Sequence, residues 1–266
     1  MQGCSRRAFL ASVGAIAVAA TGCSSVSSPR SATSPRPATP PGATAASRTP
    51  SASPSTSPPA APLEPGADLV HGPRDVGAVA LTFHGAGDPA LARAALAALA
   101  RADALVTVLA VGTWLETSPA LAQAVLTAGH ELGNHTWSHP SMRRLGPVAC
   151  RDEIARASAQ LKTLTGSQGR WFRPSGTPTS TATIRAAAAS SGYPRCLAYD
   201  VDPLDYTDPG ASSVTRAVLR GVRPGSIVSL HLGHAGTVSA LPGVLAGLRD
   251  RGLRAVTVSE LVGSNA

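Results

Sequence analysis

Residues 78–112 read AVALTFHGAGDPALARAALAALARADALVTVLAVG. Two short β-rich runs, AVALTF (78–83) and LVTVLAVG (105–112), flank an Ala/Leu-rich stretch whose spacing predicts an amphipathic helix over Pro89–Arg101. Strand, helix and strand in succession make a parallel βα unit with a right-handed crossover. The same alternation runs to the end of the chain. Further strand candidates are ELGNHT (131–136), WFRPSG (171–176), CLAYDVD (196–202), IVSLHL (227–232) and AVTVSE (255–260). Helical stretches are expected at Pro119–Ala128, Pro147–Leu164, Thr181–Ser191, Ala211–Leu219 and Val238–Arg251. About seven βα units suit a small barrel or an open doubly wound sheet, and periodicity alone does not separate the two.

Composition narrows the function classes. Hydrophobic residues make up 43% of the 266 positions but aromatics only 3%, so the core must be built from small and aliphatic side chains. Four Cys without a CxxC pair exclude a zinc ribbon or a dense disulfide framework. No apolar run after the N-terminus is long enough for a multi-pass membrane protein. The net charge of +8 is spread along the chain, with no basic cluster interleaved with aromatics, so nucleic acid is not an expected partner.

The first 22 residues read as an export signal. Arg6 and Arg7 precede a short apolar run, and the SRRAFL string resembles a twin-arginine signal. The ATGC ending at Cys23 resembles a bacterial lipobox, which implies a lipid anchor on that cysteine. Residues 23–66 are almost wholly Ser, Pro, Thr and Ala and cannot bury enough apolar area to order themselves, so they are expected to form a disordered tether. The remaining segment, 67–266, carries the chemistry.

Polar residues gather at the C-terminal ends of the expected strands: His84, Asp88, His135, His139, Arg173, Asp202, Asp205 and His231. In parallel α/β folds that edge is where sites are built, so a shared pocket is the reading. In HTWSHP, His135 and His139 are four apart, and a helical turn after Thr136 would turn both imidazoles toward one metal ion. His234 is three residues beyond His231 and within possible reach of the site, while His71 and His130 are expected at the surface or at helix ends. Cys150 and Cys196 would either pair in an oxidising location or stay as small buried residues.

Taken in order, these strings resemble the polysaccharide deacetylase family, the NodB-homology carbohydrate esterases. ELGNHTWSHP is similar to its second motif, FRPSG (172–176) to its third, and YDVDPLDYTDPG (199–210) to its fourth, with Tyr206 in a position usually held by Trp. GSIVSLHLGHAGTVSALPGVL (225–245) resembles the fifth, and TVSEL (257–261) fits the ending. The resemblance spans nearly all of 70–262 and implies a distorted (β/α) barrel. The first motif departs from the family's T-F-D-D-G: Thr82-Phe83 are followed by His84 in the base position and Gly85 in the ligand position.

The resemblance implies metal-assisted removal of N-acetyl groups from cell-wall or chitin-like polysaccharide. His135 and His139 would be metal ligands with Asp88 supplying the missing carboxylate, and the ion would be Zn, with Co or Ni as alternatives. His231 would be the acid, held oriented and cationic by Asp205, and Arg173 would line the cleft and favour a neutral His84. His84 is then the base, or else a third ligand that leaves base duty to Asp88 or bulk water. Two other functions stay open: a non-catalytic carbohydrate-binding protein that has lost the base, and an O-acetyl esterase. A monomer at the outer face of the cytoplasmic membrane, touching the membrane only through Cys23, is the expected setting.

Overall fold

The structure, a computed structural model, describes residues 66–263. The expected export signal and, but for Gly66, the expected tether lie outside the described residues. Five strands form one parallel sheet: β1 (Ala78–Gly85), β2 (Thr107–Ala110), β3 (Glu131–Asn134), β4 (Ile227–His231) and β5 (Arg254–Val256). The order is β3-β2-β1-β4, with β5 pairing the start of β1. Single parallel bridges continue the ring, from Asn134 to Phe172, from Phe172 to Cys196, and from Val201 to Val228. The result is a distorted (β/α) barrel.

Two expected strands are thus reduced to bridges. Pro174 in WFRPSG and Pro203 just after CLAYDVD have no N–H to donate, and proline is poorly tolerated inside a ladder. The run AVTVSE also divides: β5 stops at Val256, and Thr257 caps a short helix, α8 (Val258–Val262), by accepting from Glu260 N. Its T-x-x-E spacing is that of a capping box, which outweighs the β-branched residues.

The helices are α1 (Pro89–Arg101), α2 (Gly112–Thr117), α3 (Pro119–Thr127), α4 (Pro147–Thr165), α5 (Ala182–Ser190), α6 (Ala211–Gly221) and α7 (Ala235–Arg249), followed by α8. None of the helices among the described residues is long and apolar enough to cross a membrane.

Strand β1 shows how the sequence positions the site. Val79, Leu81 and Phe83 point into the layer shared with Ala92, Ala95 and Leu99 of α1 and Leu241 and Val244 of α7. Ala78 and Ala80 point the other way, against Leu109, Trp171 and Ile227 inside the barrel. The two-residue period therefore carries His84 to the inner face, at the strand's C-terminal end. There it is in register with His231 on β4 and Leu109 on β2.

His130 lies just beyond α3, but it is buried, with both ring nitrogens unpartnered among the described residues. Burial lowers its pKa from the usual 6.5. A depressed folded-state pKa means that the unfolded chain binds the proton more readily, so this residue's share of stability is lost as pH falls below about 6.5. His130→Leu should flatten that acid limb, by about 2 kcal/mol at most, the limit for one proton over the range, in denaturant titrations between pH 7 and pH 5. Cys150 and Cys196 are both free and buried in one cluster with Met142, Ile154, Phe172 and Tyr193, and burial pushes the Cys196 thiol up to about 12.

Candidate active site

Strand β3 ends on Asn134, whose buried amide anchors the following loop. Its Nδ2 donates to the Ile154 carbonyl at 3.0 Å, to Ser158 Oγ at 3.0 Å and to Tyr193 Oη at 3.2 Å, while its Oδ1 accepts from Thr136 N at 2.8 Å. The chain does not then turn helically. It bends through two left-handed residues, Thr136 (φ 70°) and His139 (φ 58°), and this brings the two imidazoles together with ring centroids 4.9 Å apart. A β-branched residue at positive φ is a strained conformation that the surroundings must enforce.

Glu153 of α4 supplies that enforcement. Its carboxylate accepts from Trp137 N at 3.0 Å and from Ser138 N and Oγ, both at 2.8 Å. The Arg156 guanidinium covers the Trp137 ring at 4.4 Å. No local pattern announces Glu153, because its targets are a whole loop away in sequence. Glu153→Ala should weaken metal binding by about 10–100-fold in calorimetric titration, the range typical when a ligand's support is removed.

Three imidazoles meet at the barrel mouth. His84, His135 and His139 each offer a ring nitrogen, and these atoms all lie within 4.8 Å of one another. The ring centroids of His84 and His135 are 4.2 Å apart. His135 Nδ1 donates to the Arg173 carbonyl at 2.9 Å, which fixes the tautomer and leaves Nε2 as a lone pair. That Nε2 and His84 Nδ1 are buried and have no partner among the described residues. Burial, followed by the neighbouring imidazoles and Arg173, holds the pKa values of His84 and His135 well below 6.5; burial lowers His139 as well. All three are therefore neutral at physiological pH, the state in which an imidazole can take a metal ion.

Asp88 is not in this group. It is the N-cap of α1, its Oδ1 accepting from Ala90 N at 2.8 Å, with Pro89 opening the helix behind it. Gly85 cannot stand in for a carboxylate. A Cβ there would sit 3.0 Å from each of Ala110 Cα, the Trp114 ring and Val108 Cγ1, on the side packed against helices.

Against the imidazole group lies His231, its ring 4.3 Å from that of His84. Its Nδ1 is 2.8 Å from Oδ1 of the fully buried Asp205. The other oxygen of Asp205 accepts from His231 N at 2.8 Å and from Thr237 Oγ1 at 2.6 Å, so the carboxylate is locked. Arg173 is buried beneath. It donates from Nε to Leu197 O at 3.2 Å and from Nη2 to Ala198 O at 3.0 Å, while Nη1 has no partner among the described residues. Burial lowers its pKa to about 10, which still leaves it cationic near neutrality. Above these groups opens a cleft of about 580 Å³, lined by His84, His139, Tyr199, Tyr206, His231 and His234 among others.

The sequence matches the polysaccharide deacetylase family over residues 71–195. A peptidoglycan-N-acetylglucosamine deacetylase of Bacillus cereus is 31% identical over 188 residues, covering 69% of this chain and 87% of that protein. The chain belongs to the polysaccharide deacetylase family. A chitooligosaccharide deacetylase of a Bradyrhizobium strain is 29% identical over 165 residues, 59% of this chain and 71% of that protein. Among solved structures, a mutant of a Bacillus anthracis CE4 family pseudoenzyme with restored enzymatic activity superposes with a TM-score of 0.71. It is 25% identical, and the match covers 76% of this chain and 72% of that one.

Within this deacetylase fold, His84, His135, His139, Arg173, Asp205 and His231 converge, and Asp88 stands apart at a helix start. Besides Glu153, three side chains were invisible in the sequence. Ser229 Oγ is 3.4 Å from His84 Nε2, Thr237 locks Asp205, and Tyr199 places its ring 5.3 Å from the Arg173 guanidinium.

Proposed function

We propose that this chain is a metal-dependent hydrolase that removes N-acetyl groups from N-acetylglucosamine units of cell-wall or chitin-like glycan. The observation that carries the reading is the oriented His231–Asp205 couple beside a neutral three-imidazole group in one cleft. The residues fit a divalent ion: two orphaned ring nitrogens and a third imidazole, all within reach of one another, suit Zn first, then Co or Ni. His135, His139 and His84 would hold it. When bound, the ion supplies Lewis acidity toward the acetyl carbonyl and an attacking water.

The protein's own groups do the rest. Asp205 takes the Nδ1 side of His231, so the transferable proton of that ring sits at Nε2, toward the cleft, where it can pass to the leaving amine. Arg173 keeps a buried positive charge under the imidazoles and disfavours their protonation. Tyr206, half exposed with its ring 5.2 Å from His231, offers an apolar face to a sugar.

A second reading, glycan binding without turnover, is favoured by one observation: the group of candidate ligands contains no carboxylate. Metal analysis together with acetate release from N-acetylglucosamine oligomers and peptidoglycan separates the two. Metal-dependent acetate release supports the enzyme, whereas oligomer binding with no acetate released establishes the binder.

The SRRAFL and ATGC strings support export through the twin-arginine route and a lipid on Cys23. Cys23→Ala should release the protein from the membrane fraction, and unchanged retention would remove the anchor from this reading.

A further inference from the structure

The one-turn 3-10 segment Asp205–Thr207 carries one carboxylate inward at Asp205 and is followed by a second at Asp208. The connection from β4 to α7 carries two histidines with the same spacing, His231 and His234. The two segments meet side by side, giving two parallel couples: Asp205 with His231 at 2.8 Å and Asp208 with His234 at 2.9 Å. The two rings stand 5.9 Å apart and nearly perpendicular.

The couples differ in exposure. Asp205 is fully buried, whereas the Asp208 side chain is 65% exposed and that of His234 29%. An open pair of this kind contributes about 0–1 kcal/mol at most, so the fold does not depend on it. His234 is the residue before α7, yet its side chain makes no capping bond to that helix. Asp208 takes a left-handed backbone (φ 53°, ψ 49°) while bonded to His234. The Nδ1 of His234 is bonded to Asp208, and the ring lines the cleft together with His231 and Tyr206.

We propose that His234, positioned by Asp208, binds a hydroxyl of the sugar next to the N-acetylglucosamine unit at His231. His234 lines the same cleft with its ring 5.9 Å from that of His231, and a ring fixed at one nitrogen presents a pre-organised hydrogen bond at the other. The proposal rests on the glycan reading of the cleft but not on turnover, since a binder would use the same contact.

The test is calorimetric binding of N-acetylglucosamine and of its tetramer to the metal-loaded full chain, with metal content measured alongside and KM and kcat where acetate is released. His234→Ala should weaken tetramer binding, or raise KM, by about five- to tenfold, as expected for one lost hydrogen bond. Monomer affinity, kcat and metal content should be unchanged. His234→Gln should recover part of the loss, and Asp208→Asn, which still offers an acceptor, should lose less than Asp208→Ala. Equal tetramer affinity in wild type and His234→Ala would overturn the proposal, as would a fall in kcat with KM unchanged. A wild type that binds neither glycan would remove the glycan reading and this contact together.

Discussion

A His231→Ala variant should release acetate about 10²–10⁴-fold more slowly than wild type while keeping its metal and its fold. The magnitude is that of one proton transfer in an otherwise intact site. The ring is partly exposed and its neighbours are not built on it: the Asp205 carboxylate would keep its bonds to residue 231 N and Thr237 Oγ1. Asp205→Asn is the sharper companion. It should preserve the packing while weakening the hold on Nδ1, so kcat should fall with KM little changed. Steady-state kinetics with metal content measured in parallel decide the matter, and a His231→Ala enzyme of full activity would remove His231 from the chemistry.

The second large effect is expected at His84. As one of three neutral imidazoles in the group, its loss should lower metal affinity by more than the about 10–100-fold typical of supporting residues. The visible absorption of the Co form should change with it, a readout independent of turnover. Unchanged metal affinity with turnover down about 10²–10⁴-fold would instead make His84 the base. His84→Asp should keep the metal and add the family's carboxylate. Adding Gly85→Asp should cost about 1–3 kcal/mol, because the new Cβ enters a space closed by Ala110, Trp114 and Val108. Because the pKa values of His84 and His135 lie well below 6.5, both stay neutral in mild acid, and metal should be retained below pH 6.5. For the metal-free protein the sign is opposite. The unfolded chain takes up protons near pH 6.5 that these buried rings refuse, so stability falls as pH drops through that value.

The fold was legible where local pattern and tertiary need agree. Helix α1 spans Pro89–Arg101 as its Ala/Leu spacing predicts, and the alternation of β1 puts His84 over the barrel mouth. The pattern misled where one residue type serves two ends. Asp88 before Pro89 has the form of a helix cap, a local demand that outweighs any role at a strand edge. The His135–His139 spacing suggested a helical turn, whereas the chain reaches the same convergence through left-handed Thr136 and His139. Glu153 and Thr237 could not be foreseen, because each acts on a segment that only the folded chain brings near.

The lacing of the barrel has a consequence for its local opening. From β3 round to β4 the wall is held by single bridges at Phe172, Cys196 and Val201 where continuous ladders hold the opposite side. Amide exchange should therefore be fastest in that arc, through sub-global opening that leaves β1, β2 and β4 protected. The same arc supplies the Arg173 carbonyl that sets the His135 tautomer, so each opening also releases a candidate ligand from its orientation. Metal loading should then slow exchange at Phe172 and Arg173 far more than at Val79 or Leu81, making the ion a clasp for the weakest seam of the ring.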